Sequence, residues 1–221
     1  ETFREFEART GQRILERYGM TETGMNTSNP HDGPRIAGTV GPPLPGVEVR
    51  IVDAEGRPCA AGVVGTIEVR GANVFRGYWQ MPDKTREEFT DDGWFRTGDV
   101  GSIDAARYLT ISGRAKDLII SGGLNIYPKE IEERIDALDG VVESAVVGIA
   151  DPDFGESVVA VVVARDGHAL TEASIIGALK REIAGFKVPK RVVFALELPR
   201  NAMGKVQKNA LRERLAAARS S

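Results

Sequence analysis

The chain has 221 residues, 42% hydrophobic and 28% charged, a balance too apolar for a disordered tail and too evenly charged for a membrane-embedded protein. Twenty-nine Lys and Arg stand against 32 Asp and Glu, and the resulting net charge of −3 offers no global attraction to nucleic acid or an anionic membrane. One cysteine, Cys59, and two histidines, His31 and His168, exclude an intramolecular disulfide and a Cys/His zinc cluster and fit a reducing, cytoplasmic setting.

In chain order, Phe3, Phe6, Ile14 and Leu15 share one helical face among charged residues, which predicts an amphipathic helix running out at Gly19. It lacks the basic start and apolar run of a signal peptide, and the start without Met reads as the back part of a longer protein. Residues 24–45, rich in Gly, Pro, Asn, Thr and Ser, predict a long loop of the kind that is usually functional or disordered. Alternation of Val47, Val49 and Ile51 with Glu48 and Arg50, then Thr66 to Arg70, predicts strands around a turn at residues 53–56. Pro82 opens a helical turn within residues 81–90. A hairpin follows, residues 100–103 and 108–112 flanking a glycine-free turn at 104–107. Beyond Arg114 strand and helix alternate: apolar 118–121, helix 128–138 with Pro128 at its first position, strands 141–149 and 157–164, helix 171–183, strand 191–195 and helix 208–218. Thr171 and Ser174 lack the Glu or Gln of a capping box. The expected architecture is α+β with a boundary near Ala115, a β-rich part over 1–115 and a smaller α+β part over 116–221. Residues 187–221 carry nine basic against two acidic residues, a basic tail able to dock an anion or to serve as a solvated helix face.

Four polar, glycine-flanked segments stand out: YGMTET at 18–23, FRTGD at 95–99, GRAKD at 113–117 and PRNAMGKV at 199–206. Singly, each is an ordinary turn or loop. In this order, joined by SGGLNIYPKEIE at 121–132, they resemble the adenylate-forming superfamily of acyl-CoA synthetases, luciferases and nonribosomal adenylation domains, over essentially the whole chain.

The resemblance implies that residues 1–115 are the C-terminal part of a large AMP-binding domain and 116–221 a small mobile lid. It implies activation of a carboxylate by ATP to an acyl-adenylate and transfer of the acyl group to CoA. Thr21 would meet phosphate, Glu22 would hold Mg²⁺, and Tyr18, with Gly19 beside it, would offer its ring to the adenine. These types suit the chemistry: a hydroxyl donates to phosphate, a hard carboxylate oxygen suits Mg²⁺. Asp99 would accept from the ribose diol and Arg114 donate to the same sugar. Lys205 would stabilise charge on the α-phosphoryl group; it is no Walker lysine, since Pro199 and Val206 stand where that motif needs Gly and Ser or Thr. Lys116 occupies the hinge position, Gly122 and Gly123 would leave room for a pantetheine arm, and Phe186 and Lys190 would contact the CoA nucleotide. A lysine acetyltransferase acting on Lys205 would silence adenylation by removing its charge.

The family's phosphate loop and most of its acyl pocket are not in the sequence, so the fragment alone is expected to be inactive. The runs around 17–30 and 203–209 look especially similar to malonyl-CoA synthetases, which makes malonate the expected acid. A ligase for another short or medium acid, an adenylation domain loading a carrier protein, and a noncatalytic nucleotide-binding module stay open.

Overall fold

The computed structural model describes residues 2–218. The chain divides into two compact units, Glu1–Ala115 and Lys116–Ser221.

The first unit opens with helix α1 (Thr2–Thr10), which stops well before Gly19. Gly11 adopts φ +68° and its N–H bonds the Glu7 carbonyl at 2.8 Å, a left-handed stop that ends the helix before Ile14 and Leu15 can join it. Phe3 is buried but Phe6 is exposed, so the expected apolar face is only partly used. Strands β1 (Arg17–Met20) and β2 (Gly24–Ser28) then form an antiparallel hairpin where helix end and loop were expected. Four strands, β3 (Val47–Val52), β4 (Gly65–Gly71), β5 (Phe95–Ile103) and β6 (Leu109–Arg114), make an antiparallel meander, with helix α2 (Pro82–Glu88) between β4 and β5. Period-2 alternation sorts this sheet. Val49, Ile51, Ile67, Val69 and Leu109 pack with Tyr18 on one face. On the other, Arg50 meets Glu68 at 2.7 Å and Arg70 meets Glu48 at 2.9 Å across the strands, and both guanidinium carbons lie over the Trp94 ring, 4.3 and 4.5 Å from its centroid. The turn at 104–107 needs no glycine because Asp104 Oδ1 accepts the Tyr108 N–H at 2.8 Å while Arg107 takes φ +69°.

The second unit is a five-stranded mixed sheet of β7 (Ile119–Ser121), β8 (Leu124–Ile126), β9 (Val141–Asp151), β10 (Gly155–Ala164) and β11 (Arg191–Ala195). Central β10 pairs antiparallel with β9 and parallel with β11. Its apolar run is continuous because both faces are covered. Val158, Ala160 and Val162 pack with Ile131 and Ile135 of helix α3 (Pro128–Asp136) and with Ile175 and Leu179 of helix α4 (Glu172–Leu179). Val159, Val161 and Val163 pack with Leu211 and Leu215 of helix α5 (Lys208–Ala217). At α4 the structure corrects the capping expectation. Ser174 takes the part of the missing Glu, its Oγ accepting the Thr171 N–H at 3.0 Å while its own N–H bonds Thr171 Oγ1 at 3.1 Å. Helix α4 is also shorter than the 171–183 expected.

Among the described residues, no helix is long and apolar enough to cross a membrane, and no group of three or more His, Cys, Asp or Glu gathers to hold a metal ion.

Candidate functional site

In the first unit the candidate residues converge on Asp99, at the middle of β5. Its carboxylate is buried and accepts the Tyr18 hydroxyl on Oδ2 at 2.5 Å, while Arg114 Nε lies 2.9 Å from Oδ1. Strand pairing sets this up: Asp99 is opposite Arg114 in the β5–β6 register. Thr97 adds support, its Oγ1 donating to the Ile67 carbonyl at 2.8 Å and accepting the Asp99 N–H at 3.1 Å. Burial, with the Asp99 charge beside it, holds the Tyr18 hydroxyl well above the ordinary phenol range, so it remains a donor. A carboxylate offers about four acceptor positions, so a ligand diol can share Asp99 with Tyr18 and Arg114.

The Tyr18 ring lies among Val49, Ile51, Ile67 and Val69 and is only 7% exposed, so little of it is open to a ligand. The same contacts explain Gly19. A Cβ there would sit 2.0 Å from the Gly24 carbonyl oxygen across the bulged β1–β2 pair, so the hairpin closes only on glycine.

Between the two strands the turn carries Thr21, exposed, and Glu22, half-buried. Tyr78 donates to Glu22 Oε1 at 3.2 Å, and Phe75 N–H bonds the Glu22 carbonyl at 2.8 Å. Asn73 ties the turn further, its amide donating to the Thr23 carbonyl at 2.9 Å. Tyr78 and Asn73 escaped the sequence reading, because nothing in their spacing marks a contact made about 50 residues away. Burial and the Glu22 carboxylate push the Tyr78 hydroxyl up to about 12. A raised pKa in the folded state stabilises it fully below the unfolded value of about 10, and that contribution disappears as pH rises through about 12. Thermal stability of the wild-type chain is therefore expected to fall over this window, and Tyr78→Phe to flatten the fall; an unchanged alkaline limb in the variant would contradict the contact.

In the second unit Lys205 is exposed and, among the described residues, has no ion-pair partner. It projects from a loop closed by its own backbone: Asn201 N–H bonds the Lys205 carbonyl at 2.9 Å, Gln207 N–H bonds the Pro199 carbonyl at 2.7 Å, and Arg200 bridges Val206. Asn201 Oδ1 accepts from both Met203 N–H and Lys205 N–H at 3.0 Å. An Asn four residues before the lysine is an Asx-turn signal that the sequence reading passed over. Lys116 is exposed in a short 3-10 helix, Ala115–Asp117. Gly122 and Gly123 form the turn between β7 and β8, with Gly122 N–H bonded to the Phe154 carbonyl at 2.8 Å. Phe186 is 44% exposed rather than core, and Lys190 Nζ lies 5.4 Å from the Phe154 ring centroid. The structure thus groups Tyr18, Asp99 and Arg114 by direct contact, places Thr21 and Glu22 in the adjoining turn, and leaves Phe186 and Lys190 exposed.

The family model for AMP-binding enzymes matches residues 1–79, and that for the AMP-binding enzyme C-terminal domain matches residues 130–205. The chain belongs to the AMP-binding enzymes. Among its relatives in that family are a sulfoacetate–CoA ligase of Cupriavidus necator, 47% identical over 94% of this chain and 41% of that protein, and a malonate–CoA ligase of Arabidopsis thaliana, 41% identical over 96% and 36%. The crystal structure of ATP-bound MatB from Rhodopseudomonas palustris superposes with a TM-score of 0.94 at 57% identity, covering 97% of this chain and 43% of that one. The chain therefore spans about two fifths of the length of the relatives it matches, and its α+β architecture is that of their adenylate-forming domains.

Proposed function

We propose that the chain supplies the nucleotide-facing C-terminal portion of an ATP-dependent, AMP-forming acyl-CoA ligase, with residues 116–221 acting as its mobile lid about a hinge at Lys116. The observation that carries the reading is an exposed Lys205 ammonium, without an ion-pair partner among the described residues, on a stapled loop in a chain of this family. In the first half-reaction a carboxylate oxygen attacks the α-phosphorus of ATP. A new P–O bond forms, the bond to pyrophosphate breaks, and Lys205 stabilises the charge that builds on the phosphoryl oxygens. In the second, the CoA thiolate attacks the acyl carbon and AMP leaves.

Asp99, held by Tyr18 and Arg114, accepts from the ribose, and Thr21 donates to phosphate. Glu22 suits Mg²⁺, which is commonly held by one or two carboxylates together with substrate phosphates; it would neutralise phosphate charge there. The glycine turn at 122–123 admits the pantetheine arm, and Phe186 and Lys190 are exposed enough to meet the CoA nucleotide by stacking and phosphate pairing. Exposure also leaves Lys205 accessible to an acetyltransferase, and loss of its charge would stop the first half-reaction.

Malonate is the proposed acid, supported by likeness to the malonate–CoA ligase. The 47% identity to the sulfoacetate–CoA ligase favours a second reading, in which the distal anion is a sulfonate. Both acids are short with a second negative charge, so the two readings share one class. The test is AMP formation by the complete ligase with malonate, sulfoacetate, methylmalonate, acetate and a long-chain acid. Turnover greatest with malonate is expected. Preference for sulfoacetate selects the second reading, and preference for a long chain removes both.

A further inference from the structure

The basic tail holds more than the one lysine assigned above, and its other cations are not idle. Five residues before Lys205, Arg200 donates through one guanidinium nitrogen to the Gly204 carbonyl at 2.6 Å and through the other to Glu143 of β9. Three residues after it, Lys208 Nζ lies 2.7 Å from Glu132 Oε1 of α3, and both side chains of that pair are largely buried. Glu132 Oε1 also accepts the Val146 N–H at 2.7 Å, so its carboxylate is itself fixed to the sheet. Two carboxylates from different elements therefore grip the loop on either side of its exposed lysine.

We infer that Glu143 and Glu132 are positioning residues for Lys205, fastening its loop at two points through Arg200 and Lys208. The inference rests on the adenylation reading of Lys205. One attachment leaves a short hairpin free to pivot about its stem, whereas two, eight residues apart, fix its orientation. A long, flexible lysine reaches a phosphoryl oxygen productively only from a fixed base, and a displacement of about 1 Å at such a group costs on the order of 100-fold in rate. The clamps have an electrostatic effect too. Arg200 and Lys208 are neutralised by their partners, so the Lys205 ammonium is the cation of the loop left to meet an incoming anion. Surface ion pairs contribute little to stability, and the exposed Arg200–Glu143 pair is understood better as a geometric device.

The test compares Glu143→Gln, Glu132→Gln and the double variant in the complete ligase. Pyrophosphate release measures adenylation, and thioester formation from preformed acyl-adenylate measures the second step. Each single variant should lower the adenylation kcat about 10-fold, and the double about 100-fold, with KM for ATP and the second step unchanged. Faster amide exchange at Lys205 in the 221-residue chain should accompany the loss. Reversing the pair, Glu143→Arg with Arg200→Glu, should restore most of the rate; a merely structural role would depress both half-reactions together and would not be rescued. If a glutamine variant fails to fold, the milder Glu143→Asp must still slow adenylation selectively. Wild-type adenylation in the clamp variants, alongside a dead Lys205→Ala, overturns the inference and leaves the reading of Lys205 intact. Full adenylation in Lys205→Ala overturns that reading and the inference with it.

Discussion

Lys205→Ala in the complete ligase is expected to slow pyrophosphate release about 10²- to 10³-fold while leaving thioester formation from preformed acyl-adenylate at the wild-type rate. The magnitude is that of one preorganised donor removed from a developing oxyanion. The asymmetry follows from chemistry: phosphorus gains negative charge at its oxygens only in the first half-reaction. The side chain is exposed and has no ion pair among the described residues, so its removal leaves no buried partner stranded and the melting temperature should not move. Equal loss in both half-reactions would contradict the assignment.

Asp99→Ala should show the opposite signature, a large effect on stability. The buried carboxylate is the acceptor for the Tyr18 hydroxyl and the counter-charge for Arg114. Its removal leaves that hydroxyl buried without an acceptor, at a cost of about 1–3 kcal/mol, and opens space beside the sheet. For a unit of this size the melting temperature should fall by about 10 °C. Tyr18→Phe in the Asp99→Ala background should recover part of the loss, because the stranded hydroxyl goes with it. Additive losses in that cycle would mean that the 2.5 Å contact carries no coupling. Titration of AMP into Tyr18→Phe, which keeps the carboxylate, separates the fold role of Asp99 from the ribose role proposed for it.

What was legible beforehand follows from which contacts are local. The α3 start at Pro128 and the strands β9, β10 and β11 were readable because proline geometry and apolar runs act within a few residues. The β1–β2 hairpin was not. Tyr18 and Gly19 lie at the end of a stretch whose apolar spacing imitates a helix and Gly24 opens a stretch that reads as loop, and only the left-handed Gly11 and the close approach of Gly19 to Gly24 decide otherwise. At the site, the motif residues were named in advance, but their pairings were not: Tyr18 finds Asp99 across 81 residues and Glu22 finds Tyr78, a residue outside the motifs, across 56. Ser174 in place of Glu at the α4 cap shows a related limit, since the reciprocal geometry can be met by a shorter side chain than the pattern specifies.

Both tryptophans of the chain, Trp79 and Trp94, belong to the first unit. Trp94 is buried with two arginines over its ring, whereas Trp79 is 86% exposed. Indole emission therefore reports on the first unit alone, with a blue-shifted and a red-shifted emitter to distinguish its interior from its surface, while melting of the α3–α4–α5 layers goes unseen in that channel and must be followed by far-ultraviolet dichroism. Two optical signals read together give two separate unfolding curves from one unlabelled polypeptide.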